Sequence, residues 1–142
     1  GGGHISGCYD QVKALAERLQ APVISSISGK GIISERHPLA FGVTGTFGSP
    51  VARNIHREAD LVFFIGSHVS MQATNNWKIP PEGTSVIQLD IDPLELGRNY
   101  PNRASLLGDA RETLRRLIPA DGWGPITGIS ISGLSAFRRD CG

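Results

Sequence analysis

The sequence predicts an α/β fold with a doubly wound parallel sheet, and two observations indicate it. Short, uniformly apolar segments alternate with segments whose apolar residues recur at helical spacing. Strands of that composition are typical of parallel sheets that helices cover on both faces. The chain has 142 residues, of which 39% are hydrophobic and 19% charged, so it suits a single domain and is too apolar for disorder.

The first half of the chain predicts two helices and two short strands. A helix is expected over 7–20, where Val12, Leu15 and Leu19 share one face and Ser6 is a candidate cap. A buried strand follows at 22–25. The glycine- and serine-rich stretch 26–48 is interpreted as loop, with a short strand near 39–42. Ser49-Pro50 has the pattern of an N-cap followed by a first helical residue, and it opens a helix to about Glu58.

The second half predicts three strands and a last helix. The continuous apolar run Leu61–Ile65 is expected to be a strand buried on both faces. Residues 67–83 are irregular, since two successive prolines exclude a helix there. Strands follow at 85–91 and up to Leu107, and Asp109 caps a helix to about 118, with Glu112 in the capping-box position.

Charge and cysteine content exclude several functional classes. The net charge is +1, without a basic stripe for nucleic acid or an anionic membrane. No apolar run reaches the length of a spanning helix, and no secretory signal opens the chain. Two cysteines at opposite ends indicate a reducing compartment, so we expect a cytoplasmic protein.

The glycine-rich start, Gly1 to Gly3, lies just before a predicted helix. Such a loop presents free N–H groups to a phosphate, although an ordinary turn is the alternative. A dinucleotide fingerprint fails twice, because Ser6 stands where glycine or alanine is needed and no acid follows the next strand. Lys30 lacks the spacing and the following hydroxyl of a phosphate-binding P-loop.

Further candidates follow the predicted strands, where parallel sheets bind ligands. The stretch from Gly45 to Gly48 either lets a ligand approach the backbone or is a plain glycine loop. Asp90 can accept hydrogen bonds from ribose hydroxyls, whereas for Asp92 the cap of a short helix over 93–96 is favoured. The histidines and cysteines lack metal-ligand spacing, and no acid–base set can be located.

The order of several short motifs resembles a known family. These are GGG at 1–3, SGKG at 28–31, HPL at 37–39, FGVTG at 41–45, ADLV at 59–62, IGS at 65–67, DIDP at 90–93, Glu95, Gly97, Asn99 and GDA at 108–110. The chain is similar over 1–118 to the central domain of thiamine diphosphate-dependent enzymes, the acetolactate synthase-like group. Residues 119–142 are interpreted as a linker toward a C-terminal domain.

The resemblance implies a Rossmann-like fold of the DHS-like NAD/FAD-binding type with six parallel strands. The family's first strand ends at the glycine loop, so that strand is expected to be missing from this chain. Its absence leaves Ile24 and Leu61–Ile65 without a neighbour on one edge. We therefore expect self-association, as a homo-oligomer, or marginal stability.

The resemblance also implies that the catalytic parts lie elsewhere. Thiamine diphosphate and Mg²⁺ belong to N-terminal and C-terminal domains of the parent enzyme, a transferase, lyase or decarboxylase that acts on carbon–carbon bonds next to a carbonyl. Those domains are the implied partners, and this chain alone is expected neither to bind thiamine diphosphate nor to catalyse the reaction.

The family's central domain holds FAD or ADP in some members, which implies a cofactor site here. Three departures weigh against FAD: His68 replaces an arginine, Phe47 replaces a histidine, and 69–72 replaces an arginine-containing stretch. At most weak ADP-like binding is expected. The positions that match the cofactor motifs are Gly1, Gly2, Gly3, Gly45, Gly48, Gly66, Asp90, Asp92, Gly108 and Asp109.

Two alternative functions stay open at this point. One is a free-standing nucleotide-binding module of related fold, and the other is a protein-interaction domain. The sequences that flank this chain in its gene discriminate them from a piece of a larger enzyme.

Overall fold

The computed structural model describes residues 7–119, which form five parallel strands and three helices. The predicted fold class is confirmed. In chain order the elements are α1 (Tyr9–Leu19), β1 (Val23–Ser25), a 3-10 turn (Ile27–Gly29), β2 (Ala40–Val43), α2 (Pro50–Glu58), β3 (Leu61–Ile65), β4 (Ser85–Asp90), β5 (Ala104–Leu107) and α3 (Ala110–Leu117).

The strands form two separate parallel sheets. One sheet contains β1 and β2, with Val23 opposite Ala40. The other has the order β3-β4-β5, and its register places Phe63 opposite Ile87 and Leu89 opposite Leu106. Within 7–119 no backbone hydrogen bond joins β1 to β3. The parallel sheet is therefore interrupted between these two strands.

The helices cover the strands with their apolar stripes. The largest core cluster joins Val12 and Leu15 of α1 to Leu89 of β4 and Leu114 of α3. A separate cluster contains Phe64, Val69 and Val86. Because apolar side chains of α1 and α3 meet on the central strand β4, burial of these stripes holds both helices to the sheet.

Side-chain caps at two helix starts confirm the predictions. The Ser49 hydroxyl accepts from the Ala52 amide at 3.1 Å, and Pro50 is the first helical residue of α2. The Asp109 carboxylate accepts from the Glu112 amide at 3.0 Å at the start of α3. Helix α1 begins after Cys8, which makes no side-chain cap, and the candidate cap Ser6 lies outside the described residues.

Several element bounds differ from the predictions by one or two residues, whereas those of α2 and β3 agree. Strand β2 occupies Ala40–Val43 rather than 39–42, and β5 begins at Ala104. The start of β5 was missed because Ala104 and Ser105 are exposed at the outer edge of the sheet and carry no apolar pattern. The linker predicted over 119–142 lies, apart from Pro119, outside the described residues.

One prediction of burial is wrong. Of Leu61–Ile65 only Phe64 is buried, and the other four residues are half-buried. A cavity of about 420 Å³ lies beside β3, lined by residues of β1, β3, α1 and α2. The run has the composition of a strand that is buried on both faces, but one edge of β3 borders this cavity.

In the part of the chain that the structure describes, no helix is long and apolar enough to cross a bilayer.

A buried histidine lies on the inner face of α2. His56 is 2% exposed, its Nδ1 is 3.2 Å from the Thr44 hydroxyl, and its ring meets Phe64 edge-on at 5.9 Å. Its Nε2 is buried and has no hydrogen-bond partner among the described residues. Burial lowers the pKa of His56 to about 4, because the imidazolium loses its hydration.

We expect this histidine to make the protein sensitive to acid. The unfolded chain binds a proton near the ordinary pKa of 6.5 and the folded chain near 4, so stability is full above 6.5 and falls as the pH drops toward 4. The shift corresponds to roughly 3 kcal/mol. The test is urea unfolding of the wild type and of His56→Leu at pH 7 and pH 4. The wild type loses unfolding free energy between pH 7 and pH 4, and we expect this loss to be smaller in His56→Leu by up to roughly 3 kcal/mol. The control Thr44→Val removes only the hydroxyl and keeps the pH dependence, and an equal pH dependence in His56→Leu and the wild type contradicts the account.

Candidate functional site

The candidate site is the edge of the sheets where the parallel strands end, since ligands of such folds bind there. Four loops meet at this edge and hold one another through backbone hydrogen bonds. The Gly66 amide donates to Leu89 at 2.8 Å, and the Gly108 amide donates to Asp90 at 3.0 Å. The structure thus brings together Gly66, Asp90 and Gly108, three of the candidate site residues.

The loop after β2 is closed on itself and on the loop after β3. The amide of Thr46 donates to Gln72 at 2.8 Å, that of Gly48 to Gly45 at 3.1 Å, and that of Ser49 to Val43 at 2.9 Å. A phosphate cradle needs such amides free to donate to the ligand. In this arrangement protein carbonyls already accept from them.

Two glycines of this loop lie where a Cβ would overlap neighbouring backbone atoms. Gly45 has a φ of +93°, and a Cβ there would overlap the carbonyl oxygen of Gln72. A Cβ on Gly48 would overlap the carbonyl oxygen of Val43. Of the two alternatives that the sequence left open, the close backbone packing favours the plain glycine loop.

The three carboxylates at this edge each accept a hydrogen bond from a backbone amide. Buried Asp90 accepts from the Asp92 amide at 2.9 Å, and Asp92 accepts from the Leu94 amide at 2.9 Å. Asp109 caps α3. The short helix predicted over 93–96 is a turn, so Asp92 caps a turn rather than a helix. These bonds give each acid a role in shaping the loops.

Glu95 is a fourth carboxylate at this edge. In the sequence it stood out only as one of the positions in the family's motif order. Its side chain is 8% exposed, and its Oε1 lies 3.3 Å from His68 Nδ1 and 3.2 Å from an Arg98 guanidinium nitrogen. Its Oε2 is buried and without a hydrogen-bond partner among residues 7–119. No local pattern signals this burial, because it arises where the loops after β3 and β4 meet.

Basic side chains near this edge contact oxygen atoms of the protein. Arg53 reaches over the loop after β2 and donates to the carbonyls of Gly48 at 3.0 Å and Thr46 at 3.4 Å. The side chains of His68 and Arg98 both contact the Glu95 carboxylate. A pyrophosphate at this edge would have to compete with these contacts. For a metal ion, the described residues hold no group of three acids, histidines or cysteines placed to bind it.

Each loop at the edge also exposes a large apolar side chain. Phe47 is 73% exposed after β2, Leu94 78% after β4, and Leu107 61% at the end of β5. Met71 after β3 and Ile91 after β4 are exposed as well. Apolar side chains gathered on one edge are typical of a surface that another domain or protein covers. The predicted site residues Gly1, Gly2 and Gly3 lie outside the described residues.

Comparisons with known proteins agree with the resemblance drawn from the motifs. A family profile described as thiamine pyrophosphate enzyme, central domain, matches residues 1–117. A probable acetolactate synthase large subunit of Methanococcus aeolicus is 36% identical over 118 residues, which are 83% of this chain and 20% of that protein. One from Methanocaldococcus jannaschii is 36% identical over 120 residues, 84% of this chain and 20% of that protein. The acetolactate synthase isozyme 3 large subunit of Escherichia coli is 32% identical over 119 residues, 83% of this chain and 21% of that protein. The chain thus spans about a fifth of the length of these relatives.

The contact of Gly45 with Gln72 predicts unequal effects of two alanine substitutions. Gly31 has the same φ of +93° but open space around its Cβ position, so Gly31→Ala reports backbone strain alone. That strain is of order 1 kcal/mol. Gly45→Ala adds a clash with backbone, and we expect it to lower the unfolding free energy by at least about 2 kcal/mol more than Gly31→Ala does. Equal losses for the two variants in urea unfolding would show that the loop yields without resistance.

Proposed function

The chain belongs to the family of thiamine pyrophosphate enzyme central domains, and from this premise we propose that it is the scaffold domain of an acetolactate synthase-like enzyme that makes or breaks carbon–carbon bonds next to a carbonyl. The relatives that it matches are about four times its length. The rest of such a polypeptide supplies the catalytic machinery in this proposal. This chain supplies a rigid platform between the catalytic domains.

The observation that carries the proposal is the closed and partly apolar edge at the strand ends. Loop amides, carboxylates and cations at this edge bond to one another, while Phe47, Leu94 and Leu107 extend outward. A catalytic site needs acids, bases or metal ligands free to act on substrate. An edge built in this way supports docking of neighbouring domains.

The described residues do not fit thiamine diphosphate and Mg²⁺. Magnesium in a diphosphate site takes carboxylate, carbonyl and water oxygens. The carboxylates of Asp90, Asp92 and Asp109 instead accept from backbone amides, and Glu95 pairs with His68 and Arg98. We therefore assign the thiamine cofactor and its metal to the N-terminal and C-terminal domains of the parent, which are the partners of this chain.

A nucleotide on this domain is the second and weaker candidate. Asp90 ends β4 beside the Gly66 and Gly108 turns, where a ribose sits in related folds. Helix N-termini contribute only about 0.3–1 kcal/mol each to anion binding, whereas a micromolar ligand needs about 8 kcal/mol. With His68 in place of an arginine, the forked donors at this edge are Arg53 and Arg98, and both already bond to oxygen atoms of the protein. ADP-like binding is therefore weak in this proposal, and FAD is not retained.

The first test is a calorimetric titration of the 142-residue chain with thiamine diphosphate and Mg²⁺. We expect no binding heat, because the described carboxylates already accept from the protein. Saturable binding in the micromolar range would place a thiamine site on this chain and overturn the assignment.

The second test concerns the nucleotide. The purified chain is expected to be colourless and to bind ADP with a Kd weaker than about 100 μM, which corresponds to less than about 5.5 kcal/mol. Asp90→Ala is expected to weaken that binding further, whereas Asp92→Ala leaves it unchanged. A yellow preparation with near-stoichiometric FAD contradicts the proposal, and equal ADP binding by both variants and the wild type removes the ribose role from Asp90.

A further inference from the structure

Two basic side chains from different loops converge on one carboxylate oxygen. His68 follows β3 and Arg98 follows β4, and nitrogen atoms of their side chains lie 3.3 and 3.2 Å from Oε1 of Glu95. Because both nitrogens contact the same atom, one small anion is large enough to contact both. Arginine pairs with carboxylate and with phosphate oxygens through the same charge-assisted hydrogen bonds. The Glu95 carboxylate therefore lies at a place that also fits a phosphate group.

The three side chains differ in their exposure to solvent. The Glu95 side chain is 8% exposed, whereas those of His68 and Arg98 are 59% and 54% exposed. The carboxylate thus lies behind the two basic groups, and an anion from solution reaches them without entering the protein. To bind such an anion, Arg98 has only to turn its guanidinium group from the buried carboxylate toward solvent.

The buried carboxylate opposes this movement of Arg98. Its Oε2 has no hydrogen-bond partner among residues 7–119, so its ionic contacts are made through Oε1. A buried charge that loses its partner is strongly destabilising, because it stays uncompensated. An anion that draws Arg98 away must offset this loss, and it therefore binds weakly as long as Glu95 is charged.

The backbone beneath these side chains is held by contacts that do not depend on their charge. Asn99 Nδ2 donates to the carbonyl of Val69 at 3.1 Å, and the Val69 side chain is buried. The Arg98 amide donates to the Glu95 carbonyl at 3.3 Å and closes the turn after β4. These bonds connect the loops after β3 and β4, so only side chains have to move between the carboxylate and a ligand. A site whose backbone is already in place loses less entropy on binding.

The surroundings of the two arginines at this edge identify which of them a protein group occupies. Arg53 bonds to the carbonyl oxygens of Thr46 and Gly48, which are neutral. Arg98 instead pairs with a carboxylate, which carries the charge that a ligand would carry. A diphosphate has more negative charge than one carboxylate, so among anions of this size it competes well for the guanidinium group.

We propose that Glu95 is an autoinhibitory carboxylate, which occupies a diphosphate-binding site formed by the side chains of Arg98 and His68. The ligand is a diphosphate group, either free pyrophosphate or part of a nucleotide. Loss of the negative charge of Glu95 opens the site, because the carboxylate then no longer competes for Arg98. The proposal deepens the nucleotide candidate of the proposed function and rests on it for the class of ligand, but it needs no ribose contact from Asp90.

The test neutralises Glu95 and measures anion binding by the 142-residue chain. Glu95→Gln keeps the size of the side chain and an oxygen acceptor but removes the charge. In calorimetric titrations with sodium pyrophosphate, at constant ionic strength and without divalent metal, we expect a Kd at least about tenfold lower for Glu95→Gln than for the wild type, because a neutral contact holds Arg98 less strongly than a charged one. ADP is titrated in parallel: an equal gain supports the free diphosphate as ligand, and a larger gain supports a nucleotide. Slow exchange of the Arg103 amide, which bonds to Val86, reports that each variant is folded.

Matched variants restrict the interpretation to Arg98. In the Glu95→Gln background, Arg98→Ala is expected to abolish the gain in affinity, whereas Arg53→Ala removes a guanidinium group from the same edge and leaves the gain in place. Glu112 forms an ion pair with Arg115 at 3.1 Å and has the same sequence spacing to its partner. Glu112→Gln therefore removes the same charge from a similar pair, and we expect it to change the Kd for pyrophosphate by less than about twofold.

Three outcomes overturn the proposal: an unchanged Kd in Glu95→Gln, an equal gain in Glu112→Gln, and a gain that survives Arg98→Ala. If Glu95→Gln does not fold, the wild type gives a second measurement. Millimolar pyrophosphate is expected to shift the Nε–Hε NMR resonance of Arg98, and an unchanged resonance overturns the proposal as well. Tight ADP binding by the wild type would contradict the weak binding stated in the proposed function, whereas this proposal is decided by the ratio of the Kd values of variant and wild type.

Discussion

The demand of two strand edges for hydrogen-bond partners is the constraint on which the rest of this structure depends. Ile24 on β1 and Phe63 on β3 direct backbone groups into the same apolar cavity. Ile24 and Phe63 are half-buried, and an unpaired strand edge gives up the net contribution of its hydrogen bonds, about 0.5–1.5 kcal/mol each, so an interrupted sheet is a poor free-energy minimum. Because of this interruption the strands form two sheets, and four of the five residues of β3 stay half-buried.

Loops at the strand ends connect what the sheet leaves separate. The Thr46 amide bonds to Gln72 across the interruption, from the loop after β2 to the loop after β3. Gly45 makes that approach possible, because any Cβ there would meet the Gln72 carbonyl. Once these loops serve as connections, their amides are not available for a ligand. The contacts that hold the edge together therefore leave few of its groups available to bind a ligand or act on a substrate.

Local patterns in the sequence were sufficient for most of the fold. Ser49-Pro50 and Asp109 mark their helix starts because capping is a contact between near neighbours in the chain. The burial of β3 and the clash at Gly45 were not accessible in this way, since each depends on residues far apart in sequence. Glu95 illustrates the same limit: only the meeting of two loops makes its carboxylate buried and pairs it with His68.

Native-state hydrogen exchange across both sheets tests the interruption most directly. A two-stranded sheet with strands of three and four residues is marginal alone, whereas β3-β4-β5 has a central strand bonded on both sides. The account predicts that the Val23 and Thr44 amides of the first sheet open with a lower free energy than the Gly66 and Arg103 amides of the second. A single opening free energy shared by all four amides, and equal to that of global unfolding, would show one cooperative sheet and contradict the account.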